Sequence, residues 1–199
     1  GDVSTRFAHF MNSQPMLEFL EHLTGIKNLI PDPSFEGGGF HQIKPGGFLK
    51  LHADFNKQRS TNLDRRLNVL VYLNENWEES YGGHFELWDK EMTGCKAKVL
   101  PIFNRMAMFS TTEFSFHGHP DPLTCPPDRS RKSMAFYYYT NGRPASEIIP
   151  GKEILTTTTF IAREQDSAQM KRYNAFVVFM QNVLPPFVVK LAKNILNRG

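Results

Sequence analysis

Cysteine is scarce: only Cys95 and Cys125 occur in 199 residues. Two isolated thiols make neither a disulfide framework nor a zinc knuckle, and they read as the reduced cysteines of a cytosolic protein. Charge of one sign is equally thin. The net charge is +3, and the one compact basic run is RSRK at 129–132. That excludes the Lys/Arg blocks that mark a nucleic-acid arm, so no nucleic acid is expected as a partner. No uninterrupted apolar stretch approaches the length of a membrane span. The opening residues GDVSTRFAHF also lack the basic start and apolar core of a secretory signal. These absences predict a cytoplasmic protein with no transmembrane segment.

What is present is a folded chain. Hydrophobic residues make up 40% and charged residues 22%, a balance that excludes disorder. The length suits one full core and not two, so 1–199 reads as a single domain. Aromatics reach 13%, mostly Phe, which suits flat rings packed on pleated sheet. Residues 5–25 read as mostly helical. Met16, Leu17, Leu20 and Leu23 recur at helical spacing, Ser13 and Pro15 mark a start, and Gly25 marks a stop. A shorter helical turn containing Phe7, Phe10 and Met11 precedes it.

From about residue 40 to 140 the pattern becomes short strands. They are expected at Phe40–Ile43, Phe48–His52, Leu67–Leu73, His84–Trp88, Ala97–Leu100, Met106–Phe109, Ser115–Gly118 and Ser133–Thr140, separated by KPGG, NEN, YGG and HPDP. Many short strands with regular turn signals argue for an antiparallel sandwich or barrel, and the lack of intervening helices argues against a doubly wound sheet. After Pro150, Met170–Leu184 and Phe187–Leu196 carry apolar stripes broken by Pro185-Pro186. The expectation is mainly β with flanking helices: N-terminal helical support over 1–39, a jelly-roll core over 40–140, and a helical extension over 141–199. The C-terminal helices are a candidate homodimer contact.

LKLHADFN places His52 and Asp54 two apart. On a strand, residues i and i+2 share a face, so imidazole and carboxylate can reach one ion. The pair follows a Pro-Gly-Gly turn at a strand end, where a jelly roll opens into its mouth. A third ligand from a distant strand is offered by FSFHGHP, through His117 or His119. Two histidines and one carboxylate leave three octahedral positions open. That suits non-haem Fe(II), which needs room for a bidentate cosubstrate and O2. A structural zinc site would close its shell, usually with sulfur. Arg131 and Ser133 share a face of the strand RKSMAFYYYT, so a guanidinium fork and a hydroxyl can clamp one carboxylate. Tyr72, in NVLVYLN, can add a phenol.

These residues resemble the Fe(II)/2-oxoglutarate oxygenase superfamily, in its prolyl 4-hydroxylase-like branch. The resemblance covers roughly residues 40–140. It runs through the PG turn, H-x-D in LHADF, YLN in NVLVYLN, W-x(4)-GG in NENWEESYGGHFELW, the strand NRMAMFS, HGHP, and R-x-S. It implies a double-stranded β-helix, the cupin-like jelly roll, and His52, Asp54 and His117 as iron ligands. His117 is preferred over His119 because the family places its ligand first in this turn. It further implies that Arg131 pairs with the C5 carboxylate of 2-oxoglutarate, with Ser133 and Tyr72 as hydrogen-bonding helpers. Where oxygen-sensing prolyl hydroxylases often carry a pocket-lining Tyr before the PG turn, this chain has Lys44. The chemistry implied is hydroxylation, with O2 as oxidant, succinate and CO2 as co-products, and ascorbate as a candidate reductant.

The substrate is a small molecule or a peptidyl group. Asn56, Arg65 and Arg66 flank the metal motif as candidate substrate residues, and Gln58–Asp64 is a candidate mobile lid. Trp77, Glu79 and Tyr81 lie in the next connection, and His41 and His84 are candidates for the mouth. Two rival readings remain: a cupin-type metal-dependent hydrolase or isomerase, and a ligand-binding jelly roll without catalysis. Neither needs Arg131 and Ser133 behind the metal.

Overall fold

The computed structural model describes residues 1–148 and 154–166. Both C-terminal helical segments expected from the sequence lie outside the described residues.

Two helices open the chain, α1 (Asp2–Met11) and α2 (Gln14–Thr24). Ser13 separates them, Pro15 sits in the first turn of α2, and Gly25 ends it in the left-handed conformation at φ 74°. The turn expected around Phe7–Met11 is a full helix, because Asp2 at its start and His9 at its end complement the helix dipole. Met11, Met16, Leu17 and Leu20 form one buried stripe. It packs on Leu67, Val69 and Val71 of one strand and Met134, Phe136 and Tyr138 of another. The Tyr138 hydroxyl donates to the Met11 carbonyl at 2.8 Å, pinning the helices to the sheet.

The strands are β1 (Ile30–Pro31), β2 (Gly39–Ile43), β3 (Leu49–Ala53), β4 (Asp64–Tyr72), β5 (Phe85–Trp88), β6 (Cys95–Val99), β7 (Met106–Ser110), β8 (His117–His119), β9 (Arg131–Thr140) and β10 (Thr159–Phe160). They form two five-stranded sheets. One runs β1-β9-β4-β7 with β2 also paired to β9, and the other runs β10-β3-β8-β5-β6. Every pairing is antiparallel. This mainly β architecture, with two helices on one sheet, is consistent with a jelly roll. All eight expected strands form. β1 and β10 are two-residue additions too short to leave a periodic signal.

Alternation along the central strands divides two environments. On β9, Met134, Phe136 and Tyr138 turn to the helices, while Arg131, Ser133, Ala135 and Tyr137 line a cavity between the sheets. On β4, Leu67, Val69 and Val71 turn to the helices, while Asn68 and Leu70 line the same cavity. β4 begins three residues before the expected Leu67, with a register shift against β9: Arg65 pairs Tyr139 and Leu67 pairs Tyr138. Arg66 is the extra residue of this β-bulge. No helix among the described residues is long and apolar enough to cross a membrane.

Candidate active site

β3 and β8 lie side by side in the second sheet, with His52 opposite His117. Gly118 permits this approach: a Cβ there would lie 2.7 Å from the Leu49 carbonyl oxygen. The imidazole centroids are 4.3 Å apart. Each ring is oriented from behind by the same device. His52 Nδ1 donates to the Lys50 carbonyl and His117 Nδ1 to the Ser115 carbonyl, both at 2.8 Å. Both Nε2 lone pairs are thereby turned toward Asp54, 3.6 Å from its Oδ1 for His52 and 3.4 Å from its Oδ2 for His117. One potential ligand atom from each of His52, Asp54 and His117 lies within 4.8 Å of the others, and all three residues are buried.

Asp54 is held from its other side. Asn68 Nδ2 donates to Oδ2 at 2.7 Å, and Arg65 Nη2 lies 2.9 Å from the same oxygen. Arg65 is itself locked. Its guanidinium carbon sits 3.4 Å from the Tyr137 ring centroid and 4.8 Å from that of Phe55, and its Nε donates to Asn68 Oδ1 at 2.8 Å. The bulge at Arg66 lets Arg65 and Asn68, three apart, reach one carboxylate.

Burial works to raise the Asp54 carboxyl, but Arg65, His117 and His52 overcome it and hold it well below the usual carboxylate range. Burial, and then the neighbouring His117, push His52 down to about 4. A charged carboxylate beside a neutral imidazole is the protonation state a divalent cation requires. Phe109, Phe85 and Phe160 collar the rings, with centroids 4.4 Å and 5.8 Å from His117 and 5.6 Å from His52 respectively. That apolar wall keeps bulk water away from the ligand set.

Arg131, Ser133 and His119 line the same cavity, which encloses about 110 Å³. Arg131 is buried, and its Nε donates to the Gly83 carbonyl at 2.7 Å. Gly83 adopts φ +71°, and a Cβ there would come within 2.9 Å of the Arg131 side chain. Only glycine accommodates both the turn and the cradle. No carboxylate pairs with Arg131 among the described residues. The Tyr72 ring lies 5.1 Å from its guanidinium carbon, and the Tyr72 hydroxyl is buried without a satisfied hydrogen-bond partner. Burial raises the Tyr72 phenol, with Arg131 opposing, and burial lowers Arg131, with Tyr72 opposing. A buried guanidinium without a counter-charge costs several kcal/mol, on the order of 3–5 when a buried pair is broken. This end of the cavity is therefore shaped for an anion.

The remaining sequence candidates are placed differently. Arg66 turns away from the cavity and makes a bidentate contact with Glu147 at 2.7 and 2.8 Å, plus one to Thr140. Arg65 holds Asp54 instead of opening to a substrate. Asn56 is covered by the segment around Leu155, whose carbonyl accepts its backbone N–H at 2.7 Å. None of the three lines the cavity, because each is drawn into packing or an ion pair formed by residues distant in sequence. The loop expected as a mobile lid is tied down: Asn62 N–H donates to the Gln58 carbonyl, and Gln58 Nε2 to Glu36 at 2.7 Å. Trp77 is buried beside Leu123 and Cys125, and Tyr81 donates to Glu78. His84 lies 2.7 Å from Glu79, whereas His41 lines the cavity opposite Ser133. Lys44 is exposed. Asn68 escaped the sequence reading, although a polar residue on the cavity face of NVLVYLN is a usable signal.

Among solved structures, the chain is similar to a prolyl-4-hydroxylase from Pseudomonas putida, at 20% identity over 65% of this chain and 63% of that one, with a TM-score of 0.44. It is also similar to a prolyl 4-hydroxylase from Phytophthora capsici, at 21% identity over 70% and 45%, with a TM-score of 0.48. HygX from Streptomyces hygroscopicus, solved with nickel, 2-oxoglutarate and hygromycin B, matches at 14% identity over 79% and 75%, with a TM-score of 0.40. The chain spans less than two thirds of the first two proteins. No curated protein matches it. The sequence model of the 2OG-Fe(II) oxygenase superfamily matches residues 38–139, just over half of the chain and nearly all of β2 through β9. The chain belongs to the 2OG-Fe(II) oxygenase superfamily.

Proposed function

We propose that this protein is an Fe(II)- and 2-oxoglutarate-dependent dioxygenase that hydroxylates a small-molecule or peptidyl substrate and releases succinate and CO2. The observation that carries the reading is Arg131: a buried guanidinium with no carboxylate partner among the described residues, lining the cavity that also holds His52, Asp54 and His117. A hydrolase or a simple binding module has no need of such a group. A cosubstrate with a second carboxylate does.

The residues fit both groups. His52, Asp54 and His117 would hold iron through two imidazole nitrogens and a carboxylate oxygen, leaving positions open. Bound there, ferrous iron supplies the redox chemistry that no side chain of this chain can provide. Arg131 and Ser133 would receive the far carboxylate of 2-oxoglutarate, with the Tyr72 hydroxyl as a further donor. The phenylalanine collar excludes water, and the carbonyls of Lys50 and Ser115 hold both imidazoles in one tautomer. Arg65 and Asn68 would keep the Asp54 carboxylate fixed as a ligand.

Anaerobic addition of Fe(II) and then 2-oxoglutarate should develop a visible charge-transfer band, and admission of air should yield succinate. Purified protein that binds iron but shows neither band nor succinate would overturn the proposal.

A further inference from the structure

The cavity that holds Arg131 is also lined by His119, a histidine that the iron set does not use. His119 follows His117 by two on β8, so both imidazoles point into the same cavity. His119 is 3% exposed, and both of its ring nitrogens are buried without a hydrogen-bond partner. The contrast with its neighbours is sharp. The ring nitrogens of His52 and His117 that face away from Asp54 are each bonded to a carbonyl. An imidazole with two buried, unsatisfied nitrogens loses the hydrogen bonds it had in water. That cost is recovered only if a ligand supplies an acceptor.

The place of His119 narrows what the ligand is. It lines one cavity together with His52, Arg131 and Ser133. Among the described residues, neither Arg131 nor His119 meets a carboxylate. The Tyr72 hydroxyl, next to Arg131, is unsatisfied too. Arg131, His119 and Tyr72 therefore carry donors that no acidic acceptor among the described residues takes up.

Resting on the reading above, we propose that His119 is a cosubstrate-binding residue. It donates a ring N–H to the same far carboxylate that Arg131 and Ser133 would receive, and so adds to the chain's selection of a 2-oxo diacid over a 2-oxo monoacid. A neutral imidazole has one N–H to give, and a carboxylate oxygen beside a guanidinium has lone pairs to spare.

The test is anaerobic titration of the Fe(II)-loaded protein, followed by its charge-transfer absorbance, with 2-oxoglutarate and separately with pyruvate, which chelates identically but lacks the far carboxylate. His119→Val should weaken 2-oxoglutarate binding by about 10-fold or more, the loss expected for a hydrogen bond to a charged group. Pyruvate binding should be unchanged. His119→Gln, which keeps a donor on a side chain of similar reach, should recover much of the 2-oxoglutarate affinity. Wild-type affinity for 2-oxoglutarate in H119V would overturn the proposal. So would an equal loss for both acids, which would mean that His119 acts through His117 or the strand. A wild-type protein that loads with iron yet shows no response to 2-oxoglutarate defeats the parent reading, a different and separable result.

Discussion

The two ends of the cavity are built on opposite plans. At one end each residue of the His52, Asp54 and His117 set is restrained by the chain: two imidazoles by backbone carbonyls, one carboxylate by Asn68 and Arg65. At the other end Arg131, His119 and Tyr72 present donors with no acidic acceptor among the described residues. The first end keeps its geometry with nothing bound, as a metal site must if the ion is to enter a preformed shell. The second is finished only by a ligand. A resident ion and an exchanging cosubstrate call for these two plans respectively.

The contrast can be broken most severely at its centre. Asp54→Ala should abolish iron loading and succinate formation together, as read by metal analysis and product assay, because two neutral imidazoles alone leave the cation without a counter-charge. Retained stoichiometric iron in that variant would mean the restrained end is not the metal end. Arg131→Ala comes next. Truncating one partner of a buried charge pair costs roughly 2–5 kcal/mol, so the 2-oxoglutarate requirement should rise on the order of 100-fold. Iron content should stay at the wild-type level. If both fall, the ends are not independent.

Smaller effects separate restraint from ligation. Asn68→Ala and Arg65→Met leave all three ligands in place but release the carboxylate, and each should lower iron affinity by about 10–100-fold. At saturating iron the 2-oxoglutarate affinity should not change. Competition with a coloured chelator measures the first quantity, and the charge-transfer band measures the second.

The smallest effect expected is on acid stability. Burial pushes His52 down to about 4 and His119 to about 3 from the ordinary 6.5. Below pH 6.5 the unfolded chain therefore takes up protons that the folded one refuses. Stability of the metal-free protein should fall as pH drops through that window, while the depressed Asp54 adds to the loss only below the ordinary carboxylate range. Thermal midpoints between pH 7 and 4.5 should decline, and His119→Val should flatten the decline. A flat wild-type profile would show that neither imidazole is held neutral.

Much of this was legible in the residues because it depends on short-range periodicity. His52 and Asp54, Arg131 and Ser133, and the alternation of β4 and β9 all follow from a two-residue repeat on strands bounded by glycine and proline. What could not be read has a common cause. Asp64, Arg65 and Arg66 look like a solvated loop, yet all three are buried at the start of β4. Their burial depends on partners outside the strand: Lys57 and Arg143 for Asp64, Asp54 for Arg65 and Glu147 for Arg66. Arg143 also donates to the Arg65 carbonyl. Strand formation there is a consequence of ion pairing across the fold, not of propensity, so no local pattern announces it. His119 was visible as a rival ligand, but its place in one cavity with Arg131 depends on β8 and β9 facing each other.

The bulge at Arg66 carries a consequence for how the gene tolerates change. It acts as a phase shift in β4: upstream of it Arg65 turns to the face that carries Asp54, and downstream of it Asn68 and Leu70 do. Deleting Arg66 would erase no residue that lines the cavity. It would nonetheless put the two halves of the strand out of step, sending either Arg65 or the row after it toward Met16, Leu17 and Leu20. A codon that encodes no ligand and no cavity contact is therefore among the least dispensable in the strand, and a deletion there should do more harm than a substitution at the same position.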